Sequence, residues 1–258
     1  MKVYLTLDEG NYIKNLQLED SKEMRIIIPL RDLNPRSTTP YITVILILIN
    51  IGIFVFEMFL PRDVAMNFVY AFGFTPGDLT NSILDFNLGF IGFNIATIFS
   101  SMFLHGGLGH ILSNMWALWL FGDNVENRLG HFRFLVIYFL SGFFAALAHY
   151  ILNITSPIVV VGASGAIAGV MGTYIILFPL AKIKTLFFIL IIPIFINVPA
   201  FLFIGVWFLS QISSGLISLF DDPYGAGIAW WAHIGGFIYG AYIGKRYRKK
   251  RRYYNEFY

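Results

Sequence analysis

The chain has no cysteine and very little charge. Without cysteine there is no thiol nucleophile, no disulfide and no Cys-ligated metal. Charged residues make up 13% of 258, against about 25% in ordinary soluble domains. A soluble enzyme of this size needs far more polar surface. A disordered chain, a collagen and a disulfide scaffold are excluded by the same composition. The HExxH spacing of zinc metalloproteases is absent too. No metal and no cofactor is therefore expected. What the chain does have is apolar mass: 57% hydrophobic residues, 27 Phe and a mean hydropathy of +0.69. That composition belongs to a polytopic membrane protein.

Crossing a bilayer takes about 20 apolar residues as a helix. Runs of that kind lie at 41–60, within 95–122, and at 134–152, 164–181 and 228–244. A longer run, 186–220, is interrupted early by Pro193, Asn197 and Pro199. Its second half, 200–219, reads as a fifth span, with Pro199 at the helix start. The first half, 185–198, reads as an apolar connection at the interface. Seventeen of the eighteen Lys and Arg residues fall on one set of loops and tails, and Arg62 alone falls on the other. The positive-inside rule then puts both termini in the cytosol and makes the number of spans even. The expected fold is an all-α polytopic bundle of six transmembrane helices. Its parts are a cytosolic segment 1–40, a membrane domain 41–244 and a basic tail 245–258. The forty mostly polar residues before the first run, with no small-residue cleavage site after it, argue against a signal peptide. Within 1–40, KVYLTL and YIKNLQL flank DEGN, which fits a hairpin or a loosely ordered tail. The apolar loop 61–94 is expected to lie in the membrane interface. The basic tail reads as an orientation signal and a contact for anionic lipid. No module supports nucleic-acid binding.

Polar residues inside a bilayer are costly and mark function. They gather in three places: HGGLGHILSN, GASGAIAGVMG and WWAHIGGFIYG. Ser164 opens a span of only eighteen residues entered from an uncharged loop, so it starts below the outer surface. There, unpaired N–H groups and the positive end of the helix dipole face any developing anion. Gly162 allows the bend into that start. The alternative is an N-cap serine. In the last span, Ala229, Ala232, His233, Gly236 and Gly240 share one face. In the fourth, Ser164, Ala168 and Gly172 share another, beside the GxxxG of Gly165 and Gly169. Small-residue faces let helices approach closely. Brought together, Ser164 and His233 are a nucleophile and its base. No carboxylate lies in either span, so a dyad is implied rather than a triad. GASGA also departs from the hydrolase elbow G-x-S-x-G, because residue 166 is Ala. His110 and Asn114, at i and i+4, either donate to an oxyanion or hold helices together.

HxxxN at 110–114, VENRLG at 125–130, GASG at 162–165 and AHxxGxxxG at 232–240 occur in that order. With them the chain resembles the rhomboid intramembrane serine proteases, over nearly all of 41–244. PLRDLNP before the first span and VPAFLFIGVWFLSQ in the fifth resemble the prokaryotic branch. The resemblance implies Ser164 as nucleophile and His233 as general base. It also implies an oxyanion hole from His110, Asn114 and the Ser164 backbone N–H. Substrates would be single-span membrane proteins cut near the extracytoplasmic end of their helix, with access by the fifth span. Two departures stand out. Ala168 occupies the position, four after the serine, where some relatives carry an aromatic residue under the histidine; Trp230 or Trp231 is then expected to orient the ring. The first outer loop also lacks a Trp-Arg pair. Two other readings are a catalytically inactive relative that binds transmembrane clients and a transporter or channel. The first would normally have lost the serine or histidine. The second should carry midplane charges.

Overall fold

The computed structural model describes residues 3–7, 13–18, 27–189, 192–219 and 229–257. The chain is mostly helical. Among the described residues, three helices are long and apolar enough to cross a membrane: α1 (Tyr41–Met58), α6 (His131–Leu152) and α8 (Ala200–Ile217). Between the first two lie α2 (Arg62–Phe72), α3 (Pro76–Leu84), α4 (Leu88–Ser100) and α5 (Leu108–Leu129). The short α7 (Ser164–Leu177) and the long α9 (Trp230–Phe257) complete the bundle.

The stretch 95–122, within which the second span was expected, is not one helix. A short 3-10 turn, Ser101–Phe103, and an extended Leu104 end α4, and α5 leaves at 84° to it. The Gly106-Gly107 pair supplies the break, because glycine is a poor helix former. Nor is 61–94 a loop: it folds as α2, α3 and α4. Pro76 at the start of α3 and Asn87, which caps α4 by accepting from the Phe90 N–H, punctuate it.

The fold is not all-α. Strands β1 (Val3–Leu7) and β2 (Ile13–Leu18) pair antiparallel, as the hairpin alternative of the two readings for 1–40 has it. A second sheet joins β3 (Ile27–Asp32), β4 (Lys182–Ile189) and β5 (Ile192–Pro199) in the order β3-β4-β5. The stretch read as an apolar connection is thus a β-hairpin. Its Ile, Val, Phe and Thr content favours strands, and pairing with β3 satisfies the backbone of β4 on both sides.

α7 is the centre of the molecule. Every residue from 165 to 174 is buried. It packs most extensively on α9, then on α6 and α5. The predicted small-residue faces do meet. A Cβ on Gly236 would collide with the Gly165 carbonyl, one on Gly240 with the Gly169 carbonyl, and one on Gly172 with the Phe237 carbonyl. Backbones this close require glycine. Thr173 Oγ1 donates to the Gly240 carbonyl at 2.9 Å and fixes the register.

The floor of the bundle is polar. The Asp32 carboxylate accepts from the Tyr174 hydroxyl of α7, from Asn124 Nδ2 of α5 and from the Asn34 N–H. Arg36 pairs with Asp123 at 3.2 Å. Glu126, fully buried, accepts from the Ile42 and Thr43 N–H groups and the Thr43 hydroxyl. Those are orphan donors at the start of α1, so Glu126 serves as its cap.

Candidate active site

Ser164 is the first residue of α7. Ala163 is the cap position, and no side chain caps this helix end. The N-cap alternative for Ser164 therefore does not describe it. Its Oγ lies 2.7 Å from His233 Nε2. The two residues are far apart in sequence, and the glycine contacts of α7 with α9 bring them together.

His233 Nδ1 faces Gln211 Oε1 at 2.7 Å. Gln211, on α8, is 5% exposed. Its Nε2 donates to the Trp207 carbonyl at 3.3 Å and to Ser210 Oγ at 3.0 Å. The expected orienting residue was Trp230 or Trp231. Trp230 instead stands edge-on to the His233 ring, 6.2 Å away at 88°. Trp207 lies 6.0 Å away, tilted by 36°. Neither stacks on the imidazole, and Ala168 is fully buried. The sequence reading missed Gln211. A long polar side chain inside an apolar span was the available signal, and VPAFLFIGVWFLSQ ends on it.

Gly162, which turns the chain into α7, has φ +124°. A Cβ there would lie 2.7 Å from His110 Nε2 and 2.8 Å from Cε1. Glycine is needed for both the conformation and the space. The Gly162 N–H donates to the Ser101 carbonyl at 2.9 Å. The close approach at Gly162 places His110 Nε2 beside the serine turn. His110 Nδ1 accepts from the Gly106 N–H at 3.3 Å. Its Nε2 is then the protonated nitrogen of the neutral ring. Asn114, one turn on, is 5% exposed, and its Nδ2 has no partner among the described residues. An unpaired buried amide donor is uncommon and needs a reason.

Ser164, His233, Gln211, Gly162, His110 and Asn114 all line one cavity of about 1340 Å³. Ser113, Trp116 and Leu120 of α5 wall it on one side, and Phe203 and Trp207 of α8 on the other. Pro29 of β3 lies at its floor, held by a 2.7 Å bond from Trp116 Nε1 to the Pro29 carbonyl. Of the remaining histidines, His149 is an electrostatic neighbour of His233, while His105 and His131 contact other groups. His105 is buried in the α4–α5 connection, 5.1 Å from the His110 ring. His131 binds Glu126, and His149 lies in the last turn of α6.

A family model, the Rhomboid domain, matches residues 93–250. The chain belongs to the rhomboid family. The match runs from α4 into α9 and takes in Ser164, His233, His110, Asn114 and Gln211. Rhomboid protein 1 of Saccharomyces cerevisiae, a mitochondrial protein, is 31% identical over 169 residues, 60% of this chain and 44% of that one. The Rhomboid protease GluP of Bacillus subtilis is 42% identical over 69 residues, 27% of this chain and 13% of that one. RHOMBOID-like protein 1 of Arabidopsis thaliana is 26% identical over 224 residues, 80% of this chain and 52% of that one. This rhomboid spans about half the length, or less, of these curated relatives.

Proposed function

We propose that the chain is an intramembrane serine endopeptidase. It cuts single-span membrane proteins near the extracytoplasmic end of their transmembrane helix. The observation that carries this reading is the 2.7 Å contact from Ser164 Oγ to His233 Nε2, at a helix N-terminus that opens into the cavity. In this reading the chain sits in the cell membrane as six spans with both termini cytosolic. The site opens outward, away from the basic loops.

His233 Nε2 takes the Ser164 proton as Oγ attacks the scissile carbonyl carbon. The C–N bond then breaks, the leaving amine receives that proton from the imidazolium, and an acyl-enzyme remains. Water, deprotonated by His233, attacks the ester and releases the acid. The tetrahedral oxyanion takes hydrogen bonds from His110 Nε2, Asn114 Nδ2 and the Ser164 N–H. The last of these is an unpaired first-turn donor of α7. The unpartnered Asn114 amide fits that use.

A substrate helix would enter between α5 and α8, whose Trp116, Leu120, Phe203 and Trp207 line the cavity. Its carbonyls are already bonded within the helix, so it must unwind at the cut. Gly, Pro or small residues near the bond are favoured. The partners are thus the lipid bilayer and transmembrane proteins. Replacing Ser164 with Ala should abolish cleavage of a single-span reporter by the purified chain, while its thermal transition stays in place. Cleavage that persists would sink the assignment. Fluorophosphonate labelling that needs both Ser164 and His233 separates the enzyme from an inactive client-binding relative.

A further inference from the structure

A serine–histidine pair works as a base only in one tautomer. Nδ1 must carry the proton, so that the Nε2 lone pair accepts from the serine hydroxyl. In familiar triads a carboxylate enforces this. A carboxylate at this depth would add a buried charge with a large desolvation cost.

The surroundings of His233 supply a neutral substitute. Gln211 has one acceptor and one donor end. The donor end is committed to the Trp207 carbonyl and Ser210 Oγ. The acceptor end, Oε1, is left facing His233 Nδ1 at 2.7 Å. The other tautomer would set two lone pairs against each other at that distance and leave Ser164 without a base. Neither Trp207 nor Trp230 stacks on the ring, so the amide is what fixes its plane.

The position of Gln211 on α8 adds a second property. α8 is anchored at its foot. The Ala200 and Phe201 N–H groups donate to the Ala181 and Pro179 carbonyls, at 2.8 and 3.1 Å, and Ala200 and Ile204 are fully buried. Higher up it touches α9 and only slightly α7, and it forms one wall of the cavity. Outward tilting of α8 about its foot would widen the cavity and withdraw Oε1 from Nδ1.

We propose that Gln211 is the positioning residue of a charge-neutral Ser164–His233–Gln211 array, making the base competent only while α8 rests against α9. This inference rests on the protease reading above. A helix entering past α8 meets an unarmed serine, and cleavage waits until α8 returns.

The test uses the full chain in detergent with a single-span reporter, and Ser164→Ala as control. Gln211→Leu keeps the volume and removes the acceptor. Its kcat should fall about 10- to 100-fold, at or below the bottom of the roughly 100- to 10,000-fold that a positioned general base contributes, because the base itself remains. KM and the thermal transition should stay near wild type. Gln211→Glu restores an acceptor and should recover most of kcat. It should also move the acid limb of the kcat profile to higher pH, because its carboxylate holds the imidazolium. The other titratable groups facing His233 are His110 of α5 and His149 of α6, both unchanged in these variants. If Gln211→Leu does not fold, Gln211→Asn, one methylene short, carries the same expected loss. Unchanged kcat and acid limb in the folded variants, or a loss in KM alone, overturns the proposal and leaves the protease reading standing. Absence of Ser164-dependent cleavage in the wild type overturns both.

Discussion

Gly162 shows how little freedom the site leaves a single residue. Its positive φ and its contact with the His110 ring both exclude a side chain. Strain of that kind costs about 1–3 kcal/mol for a non-glycine residue. Gly162→Ala should therefore displace His110 and lower kcat by more than about tenfold, given what one oxyanion donor is worth. Steady-state cleavage of the reporter checks this, with the thermal transition as the folding control. Asn114→Ala should lower kcat by about 100- to 1,000-fold with KM little changed, since its amide donor has no ground-state partner among the described residues. Both residues were legible in the sequence, Asn114 from its i, i+4 spacing with His110 and Gly162 from its place before the serine. Gln211 was not, because what it does depends on which helix faces α9 and at what depth.

At the scale of elements, α7 and α9 define the molecule. Their glycines were visible as spaced small residues, and the structure shows the backbone carbonyls that require them. Gly240→Val should push α9 off α7 and lower stability by about 1–3 kcal/mol or more, the ordinary penalty of overpacking. Thermal unfolding in detergent measures this. Gly205→Ala on α8, where nothing lies within 4 Å of the added carbon, should leave the transition unchanged or raise it slightly. Other elements were hidden. Helices α2 to α4 are short and broken by Gly73, Pro76 and Asn87, so no sustained period marked them. The β4–β5 hairpin looked like an apolar connection. Its pairing with β3, some 150 residues earlier, leaves no local trace.

At the scale of the whole molecule, the few charged groups lock the floor of the bundle. Asp32 ties β3 to α5 and α7. Burial raises its carboxyl above the ordinary value of 3.8, and hydrogen bonds from Tyr174, Asn34 and Leu33 oppose the rise. The folded state thus holds this proton more tightly than the unfolded chain. Its contribution to stability is complete below 3.8 and is lost as pH rises through the raised folded value. Asp32→Asn removes the titration. Whatever constant offset it brings, the variant should gain on the wild type as pH rises across that window and run parallel above it. Thermal unfolding of the pair at a series of pH values checks the sign.

The sequence alone determined the solvent this protein lives in, because 57% hydrophobic residues with 13% charge leave too little polar surface for water. It also marked the serine, the histidine and the small-residue faces, since period and spacing are local and a polar residue in an apolar helix is conspicuous. The tertiary structure decided what surrounds them: that Ser164 starts α7 without capping it, that α5 breaks away from α4, that a sheet closes the floor, and that an amide from α8 meets the histidine. These depend on distances between segments remote in the chain. Pattern along one segment cannot encode such distances, and packing sets them only once every helix has found its partner.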